Sequence, residues 1–262
     1  PIVLNMLVNA HDDERLAFSH TVEVFTAGAP PAAATLKAIE PLGFNVTQVY
    51  GLTETYGPAT ECVWHEGFDT LPPDERAAVK ARTGVRMPFM EDIRVTDPNH
   101  AAVPRDGASL GEIMHRGNGV MKGYYKNPQA TREAFAGGAF HSGDIAWWHE
   151  DGYIKIADRA KDIIISGGEN VSSVEVEGAL MHHPAVSLAA VVAMPDKRWD
   201  EVPCAFVELK PGHQVTEADL IAFCRARLAG FKTPKKVIFG DLPKTATGKI
   251  QKFELRHTAR GV

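Results

Sequence analysis

Cysteine is scarce in this chain: Cys62, Cys204 and Cys224 lie far apart, and no Cys-x-x-Cys pair exists. That argues against a disulfide framework and a thiolate metal site, and it reads as reduced, structural thiols of a cytoplasmic protein. Charge of one sign is also missing. A net charge of −5 over 262 residues, with basic residues scattered rather than striped, offers no field that would gather nucleic acid. No apolar run reaches the roughly 18 residues of a membrane span, and the opening PIVLNMLVNAHDDE lacks the basic flank of a signal peptide. The histidines show no His-Glu-x-x-His or comparable spacing, so a structural metal site is not expected. The chain starts without methionine and in mid-pattern, which points to a piece of a longer protein.

With 44% apolar and 23% charged residues, the composition suits one large or two modest domains. Apolar spacing predicts a helix over 2–8, and β-branched residues predict a strand over 22–26 that ends in Ala27-Gly28-Ala29-Pro30-Pro31. An alanine-rich helix over 32–39 and a strand over 45–50 come next. Strand, helix, strand implies a parallel sheet, and such sheets hold ligands at the carboxyl ends of their strands. The polar turns at 27–30 and 51–55 both fall there. Residues 71–82 read as a surface helix. Short strands over 92–96, 111–116, 120–121 and 152–157 suggest a small barrel-like β-subdomain.

The stretch 141–170 organises the rest. Asp151-Gly152 signals a hairpin because both central positions tolerate positive φ. A charged cluster, Asp158 to Asp162, then separates two apolar runs, as expected of a domain joint or of a surface loop within one sheet. Gly167-Gly168 permits a sharp turn or close approach to a ligand. Beyond the joint the chain reads as a compact α/β unit. Ser172-Ser173-Val174-Glu175 forms a capping box for a helix over 173–181, strands occupy 186–194 and 202–209, and Thr216 caps a helix bearing Leu220, Ile221, Cys224 and Leu228. A strand over 237–239 and a helix over 251–260 complete it.

Three glycine-containing motifs invite chemical readings. In Tyr50-Gly51-Leu52-Thr53-Glu54 a hydroxyl could serve a phosphate oxygen and a carboxylate a hard cation, although Thr-Glu after glycine is equally an ordinary helix start. Gly117-Asn118-Gly119 with Gly123 has Gly-x-Gly-x-x-x-Gly spacing and sits between strands, so a dinucleotide fingerprint is rejected. In Pro243-Lys244-Thr245-Ala246-Thr247-Gly248-Lys249-Ile250 a phosphate-binding P-loop fails at both ends, at Pro243 and at Ile250, leaving a basic loop.

Taken in order, Tyr50-Gly51-Leu52-Thr53-Glu54, Ser142-Gly143-Asp144, Asp158-Arg159-Ala160-Lys161 and the 243–250 segment resemble the core motifs of the adenylate-forming superfamily of acyl-CoA synthetases, luciferases and peptide-synthetase adenylation domains. Its C-terminal half is the part resembled. The last motif, with Leu255-Arg256 after it, is similar to the acyl-CoA ligase branch. The resemblance implies that Gly28, Ala29 and Pro30 lie against adenine, that Tyr50 and Gly51 belong to the nucleotide site, and that Thr53 contacts the α-phosphate. It implies further that Glu54 holds Mg²⁺, and that Asp144, supported by Arg159, binds the ribose hydroxyls. Lys161 falls at the family's hinge, Gly167 and Gly168 where pantetheine passes, and Lys249 at the catalytic lysine.

The implied activity is activation of a fatty or aryl acid with ATP, followed by transfer to CoA. The implied architecture is α/β with several subdomains: residues 1–80 as part of a large sheet domain, 81–157 as the barrel-like subdomain, 158–161 as a hinge and 162–262 as a small mobile α+β domain. The superfamily's upstream phosphate loop is absent, so the fragment alone is expected to be inactive. A non-catalytic nucleotide-binding or interaction module, and a luciferase-like oxygenase using the same adenylate, are the competing readings.

Overall fold

Parallel pairing is the first feature that positions a site. In the computed structural model, which describes residues 2–15, 17–29, 31–245 and 248–261, helix α1 (Ile2–Asn9) precedes strand β1 (Val22–Thr26). Helix α2 (Ala33–Ile39) then crosses to strand β2 (Phe44–Leu52), which pairs with β1 in parallel and sets Thr26 opposite Gln48. Residues 28 and 50 therefore leave the pair at the same end. Strands β3 (Gly57–Glu61) and β4 (Val85–Arg86) extend the sheet antiparallel, with helix α3 (Pro73–Lys80) between them. Leu4, Leu36, Ile39, Val46, Ala77 and Ala81 form the apolar layer between helices and sheet.

A second sheet is built from strands β5 (Met90–Thr96), β6 (Leu110–Gly117), β7 (Phe140–Trp148) and β8 (Ile154–Arg159), with helix α4 (Pro128–Ala134) before β7. The strand order is a plain meander, β5-β6-β7-β8, and its path does not close into a barrel among the described residues. The predicted strand at 120–121 is absent. Val120 and Met121 lie in a turn and loop flanked by Gly117 and Gly123, whose φ angles of 150° and 154° suit few other residues. At Asp151-Gly152 only Gly152 is left-handed, with φ 87°. The Gly152 amide donates to the His149 carbonyl and the His149 amide to the Tyr153 carbonyl, a longer loop than the two-residue turn predicted.

His115 on β6 is fully buried beside Tyr50 and Phe140, with ring centroids 5.8 Å and 6.3 Å away, and neither of its nitrogens has a hydrogen-bond partner among the described residues. Burial lowers its pKa from 6.5 to about 4. Between those values the unfolded chain takes up a proton that the folded chain refuses. Stability is therefore full above pH 6.5 and falls by about 3 kcal/mol on the way to pH 4. His115→Met should flatten urea melts over that range; an unchanged pH slope would contradict the assignment.

The chain divides into two compact units, 1–156 and 157–262. In the second, strand β9 (Ile164–Ser166) turns through Gly167 and Gly168, both left-handed at φ 61° and 87°, into strand β10 (Glu169–Val171). Helix α5 (Ser173–Met181) ends where sequence predicts. Its Ser172 hydroxyl accepts from the Glu175 amide, but the Glu175 carboxylate pairs with Lys232 at 2.8 Å instead of closing the box. Strands β11 (Val186–Asp196) and β12 (Asp200–Leu209) form a long hairpin; helix α6 (Glu217–Arg225) carries the reciprocal Thr216–Asp219 cap. Strand β13 (Lys236–Phe239) joins β12 in parallel, and helix α7 (Lys252–Ala259) closes the unit. One apolar cluster, centred on Val176, Val191, Val207 and Leu220, and another, around Val192, Phe206 and Leu255, complete its core.

Candidate active site

Strand β2 delivers Tyr50 to the carboxyl end of the first sheet, and the backbone beyond it is fixed by contacts that leave little choice of residue. Gly51 is still in the strand, not in a turn. A Cβ there would stand 1.9 Å from the Gly57 carbonyl oxygen, so only glycine fits. Thr53–Thr55 then makes a single 3₁₀ turn closed by Tyr56 in the left-handed region. Thr55 is fully buried: its hydroxyl accepts from the Leu52 amide at 2.8 Å and donates to the Gly57 carbonyl at 2.9 Å. This internal staple leaves Thr53 exposed and Glu54 half-buried.

Glu54 is also held from the side. Its carbonyl accepts from the Met121 amide at 2.6 Å and its Oε1 from the Tyr124 hydroxyl at 3.1 Å. Burial, and then the bond to Glu54, raise the Tyr124 phenol above its ordinary pKa. The glycine-rich loop after β6 is thus a support for Glu54. Thr55 and Tyr124 were missed in the sequence because nothing local marks a threonine as a staple or a tyrosine as the partner of a carboxylate 70 residues earlier.

Asp144 owes its position to a bulge. Glu112 pairs with Ile145 and Met114 with His141, so Ser142, Gly143 and Asp144 face Ile113 alone. Bulges of this kind redirect side chains. The Ser142 hydroxyl donates to the Ile113 carbonyl at 2.6 Å, and the Glu112 carboxylate accepts from the Gly143 amide and pairs with His141, both at 2.8 Å. Asp144, 3% exposed, accepts at Oδ2 from the Tyr50 hydroxyl at 2.7 Å. Residues 94 apart in sequence meet in one buried pair. Gly28, with φ 87° and open space about its Cα, and Ala29 are exposed just beyond β1; Pro30 lies outside the described residues.

In the second unit, the 158–162 segment is a tight turn in which the Asp162 and Ile163 amides both donate to the Arg159 carbonyl, at 2.8 and 3.1 Å. Asp158 is buried and accepts from the Arg159 and Ser173 amides at 2.8 and 2.6 Å, whereas Lys161 is exposed. A Cβ on Gly167 would press on the Trp199 ring at 2.7 Å; none is near Gly168. The loop before α7 closes through hydrogen bonds from the Thr245 amide to the Lys249 carbonyl at 2.8 Å and from the Lys249 amide to the Thr245 hydroxyl at 3.0 Å. It presents the Lys249 side chain to solvent. Ala246 and Thr247 lie outside the described residues.

A buried acid partnered by a phenol, at the end of parallel strands, suits hydroxyl donors of a ligand better than a lone cation, and the turn beside it offers a hydroxyl and a carboxylate. The class these features define is an α/β fold with a polar ligand site at the ends of its strands. The AMP-binding enzyme family matches residues 1–125, and the AMP-binding enzyme C-terminal domain matches 175–249. The chain belongs to this adenylate-forming superfamily. It is 54% identical over 267 residues to an acetate/butyrate–CoA ligase of Arabidopsis thaliana described as peroxisomal, covering 99% of this chain and 47% of that protein. It also resembles the anthranilate–CoA ligase solved with anthranoyl-AMP (TM-score 0.78, 30% identity, 91% of this chain and 44% of that one). An amide bond synthetase from Marinactinospora thermotolerans is similar too (TM-score 0.83, 28% identity, 98% of this chain and 50% of that one). The chain spans about half the length of the curated relatives it matches.

Proposed function

We propose that this chain is the C-terminal half of an ATP-dependent acid–thiol ligase. In the first half-reaction a substrate carboxylate oxygen attacks the α-phosphorus of ATP, the bond to the bridging oxygen breaks, and pyrophosphate leaves acyl-AMP. In the second the CoA thiolate attacks the acyl carbonyl and AMP departs. The buried Tyr50–Asp144 pair carries this reading: Asp144 accepts from the ribose hydroxyls, oriented by the phenol at 2.7 Å. Gly28 and Ala29 supply backbone against adenine, and Arg159 supports the ribose from the joint. Thr53 contacts the α-phosphate. Lys249 neutralises charge developing between the acid and that phosphate. Residues 158–161 are the hinge, with Lys161 absorbing the rotation, and Gly167-Gly168 passes the pantetheine arm.

Glu54 is the residue that would hold Mg²⁺. Among the described residues no group of three His, Cys, Asp or Glu could form a protein cage, and one oriented carboxylate fits a cation that takes most of its ligands from phosphate and water. Bound there, the ion would offset phosphate charge. Glu54→Gln keeps the bond from Tyr124 but loses the anion, so adenylation should fall about tenfold or more and respond weakly to added Mg²⁺. Wild-type rates at low Mg²⁺ would assign the ion elsewhere.

Likeness to an amide bond synthetase makes an amine acceptor the second reading for the transfer step. AMP release by the full-length protein, measured over short-chain, longer-chain and aromatic acids with CoA or an amine, tests both. We expect CoA-dependent release with short-chain acids foremost, given the relative named for acetate and butyrate. Burial raises all three thiols to about 11, which suits inert, structural cysteines. No helix among the described residues is long and apolar enough to cross a membrane. We place the protein in the cytoplasm, and fractionation against peroxisomes decides between the two compartments.

A further inference from the structure

The carboxylate that fixes the Asp144 bulge is itself fixed, by His141. Gly143 is left-handed at φ 71°, and its amide donates to Glu112 Oε1 at 2.8 Å. The other carboxylate oxygen, Oε2, faces His141 Nδ1 at 2.8 Å, while His141 Nε2 lies 2.9 Å from the Ala136 carbonyl oxygen. A carbonyl oxygen can only accept a hydrogen bond, and so can an ionised carboxylate. Both ring nitrogens must therefore carry hydrogen. A proton on Glu112 would also satisfy the pair, but imidazole is ordinarily the stronger base by about two pH units, and Glu112 Oε1 is already engaged as an acceptor. The geometry thus makes His141 an imidazolium with Glu112 as its carboxylate partner. Both side chains are half-buried, which screens the pair less than a surface one. The His100 ring, set T-shaped to His141 with centroids 5.1 Å apart, limits how far the imidazole can swing.

We propose that His141 is a positioning residue: as an imidazolium bonded to both Ala136 and Glu112, it holds the carboxylate against the Gly143 amide and thereby aims Asp144 at the ribose hydroxyls. Glu112 alone is a flexible side chain. Held at one oxygen by the ring and at the other by the bulge, it has one geometry. The ring also ties β7, which carries Asp144, to β6 where their ladder shifts register, and there the backbone alone fixes least. Tyr50, from the other sheet, holds the same acid at Oδ2. Asp144 is thus oriented from two directions before any ligand arrives, and a ligand that need not order the acid binds more tightly. A pair that served stability alone would need neither a bond to the bulge amide nor two acceptors on one ring.

The proposal rests on the ribose reading of Asp144 for its effect on nucleotide binding, and its test has two arms that do not. In the full-length protein, without acid or CoA, binding of ATP is compared with that of two analogues, each lacking one of the ribose hydroxyls. The wild type should favour ATP over the weaker-bound analogue by about tenfold. In His141→Leu that preference should shrink to about twofold, with affinity for the analogue almost unchanged. His141→Asn, whose amide nitrogen can take the place of Nδ1, should keep an intermediate preference. His141→Gln, which reaches toward Ala136 instead, should resemble His141→Leu, and these two variants carry the comparison should the leucine fail to fold. Hydrogen exchange at the Gly143 amide should rise about tenfold in His141→Leu and stay at the wild-type rate in Arg94→Met, which breaks a pair to Asp92 on the same sheet. Nitrogen NMR of labelled histidine should show both ring nitrogens of His141 protonated. A ring with one bare nitrogen, an unmoved Gly143 amide, or an equal loss of affinity for ATP and analogue in His141→Leu overturns the proposal. Absence of any preference for ATP in the wild type would refute the ribose reading, and ring protonation and Gly143 exchange would then decide the hold on the bulge by themselves.

Discussion

Lys249→Ala in the full-length protein should lose acyl-AMP formation by roughly 10²- to 10³-fold, the worth of a preorganised donor to developing charge, about 3–4 kcal/mol. The residue's exposure makes this a clean experiment. No packing is lost, and the loop's own hydrogen bonds run through the Lys249 backbone, so the melting temperature should not move. Given presynthesised acyl-AMP and CoA, the same variant should still make acyl-CoA, because the role proposed for the lysine ends when pyrophosphate leaves. Lys161→Pro should show the reverse. Fixing φ within a turn already closed by the Asp162 and Ile163 amides hinders the rotation proposed for the joint. Equal slowing of both half-reactions by Lys249→Ala would contradict a lysine that serves one step.

Asp144→Ala carries the second large effect. Losing a charge-assisted hydrogen bond costs about 1.5–3 kcal/mol, so the KM for ATP should rise roughly 10- to 150-fold. Because Asp144 also accepts from Tyr50 at 2.7 Å, Tyr50→Phe should produce a smaller rise, about fivefold, by loosening the acid rather than removing it. Asp144→Asn should fall between the two, since it keeps the shape and an acceptor but not the charge. ATP binding that is unaffected in Asp144→Ala would remove the ribose assignment.

Much of the frame was legible in the sequence wherever one local rule acted alone. The strand at Val22–Thr26 and the helix at Ser173–Met181 were read to the residue, one from β-branched residues stopped by a glycine-proline turn, the other from a serine cap and a proline stop. Reading failed where the cause was distant. Met121 looks like strand, but its amide is committed to the Glu54 carbonyl, and a Cβ on nearby Gly119 would stand 3.1 Å from the Thr55 carbonyl oxygen. Asp151-Gly152 looks like a two-residue turn, yet only the glycine needs positive φ. Of the site, the motif residues were visible while their supports were not. Glu112 sustains the bulge that directs Asp144, and Tyr124 holds the Glu54 carboxylate from the side. Each support is a polar side chain whose partner lies elsewhere in the chain, and spacing carries no trace of such pairs.

The central claim, that the residues gathered at the end of β2 and on the Lys249 loop serve adenylation of an acid, is tested most directly by exchange of labelled pyrophosphate into ATP, with the full-length protein and no CoA present. Exchange that requires both a carboxylic acid and Mg²⁺, and that Lys249→Ala abolishes, is the predicted result. Retention of ATP without exchange for any acid in the panel would contradict it and leave a nucleotide-binding module in its place.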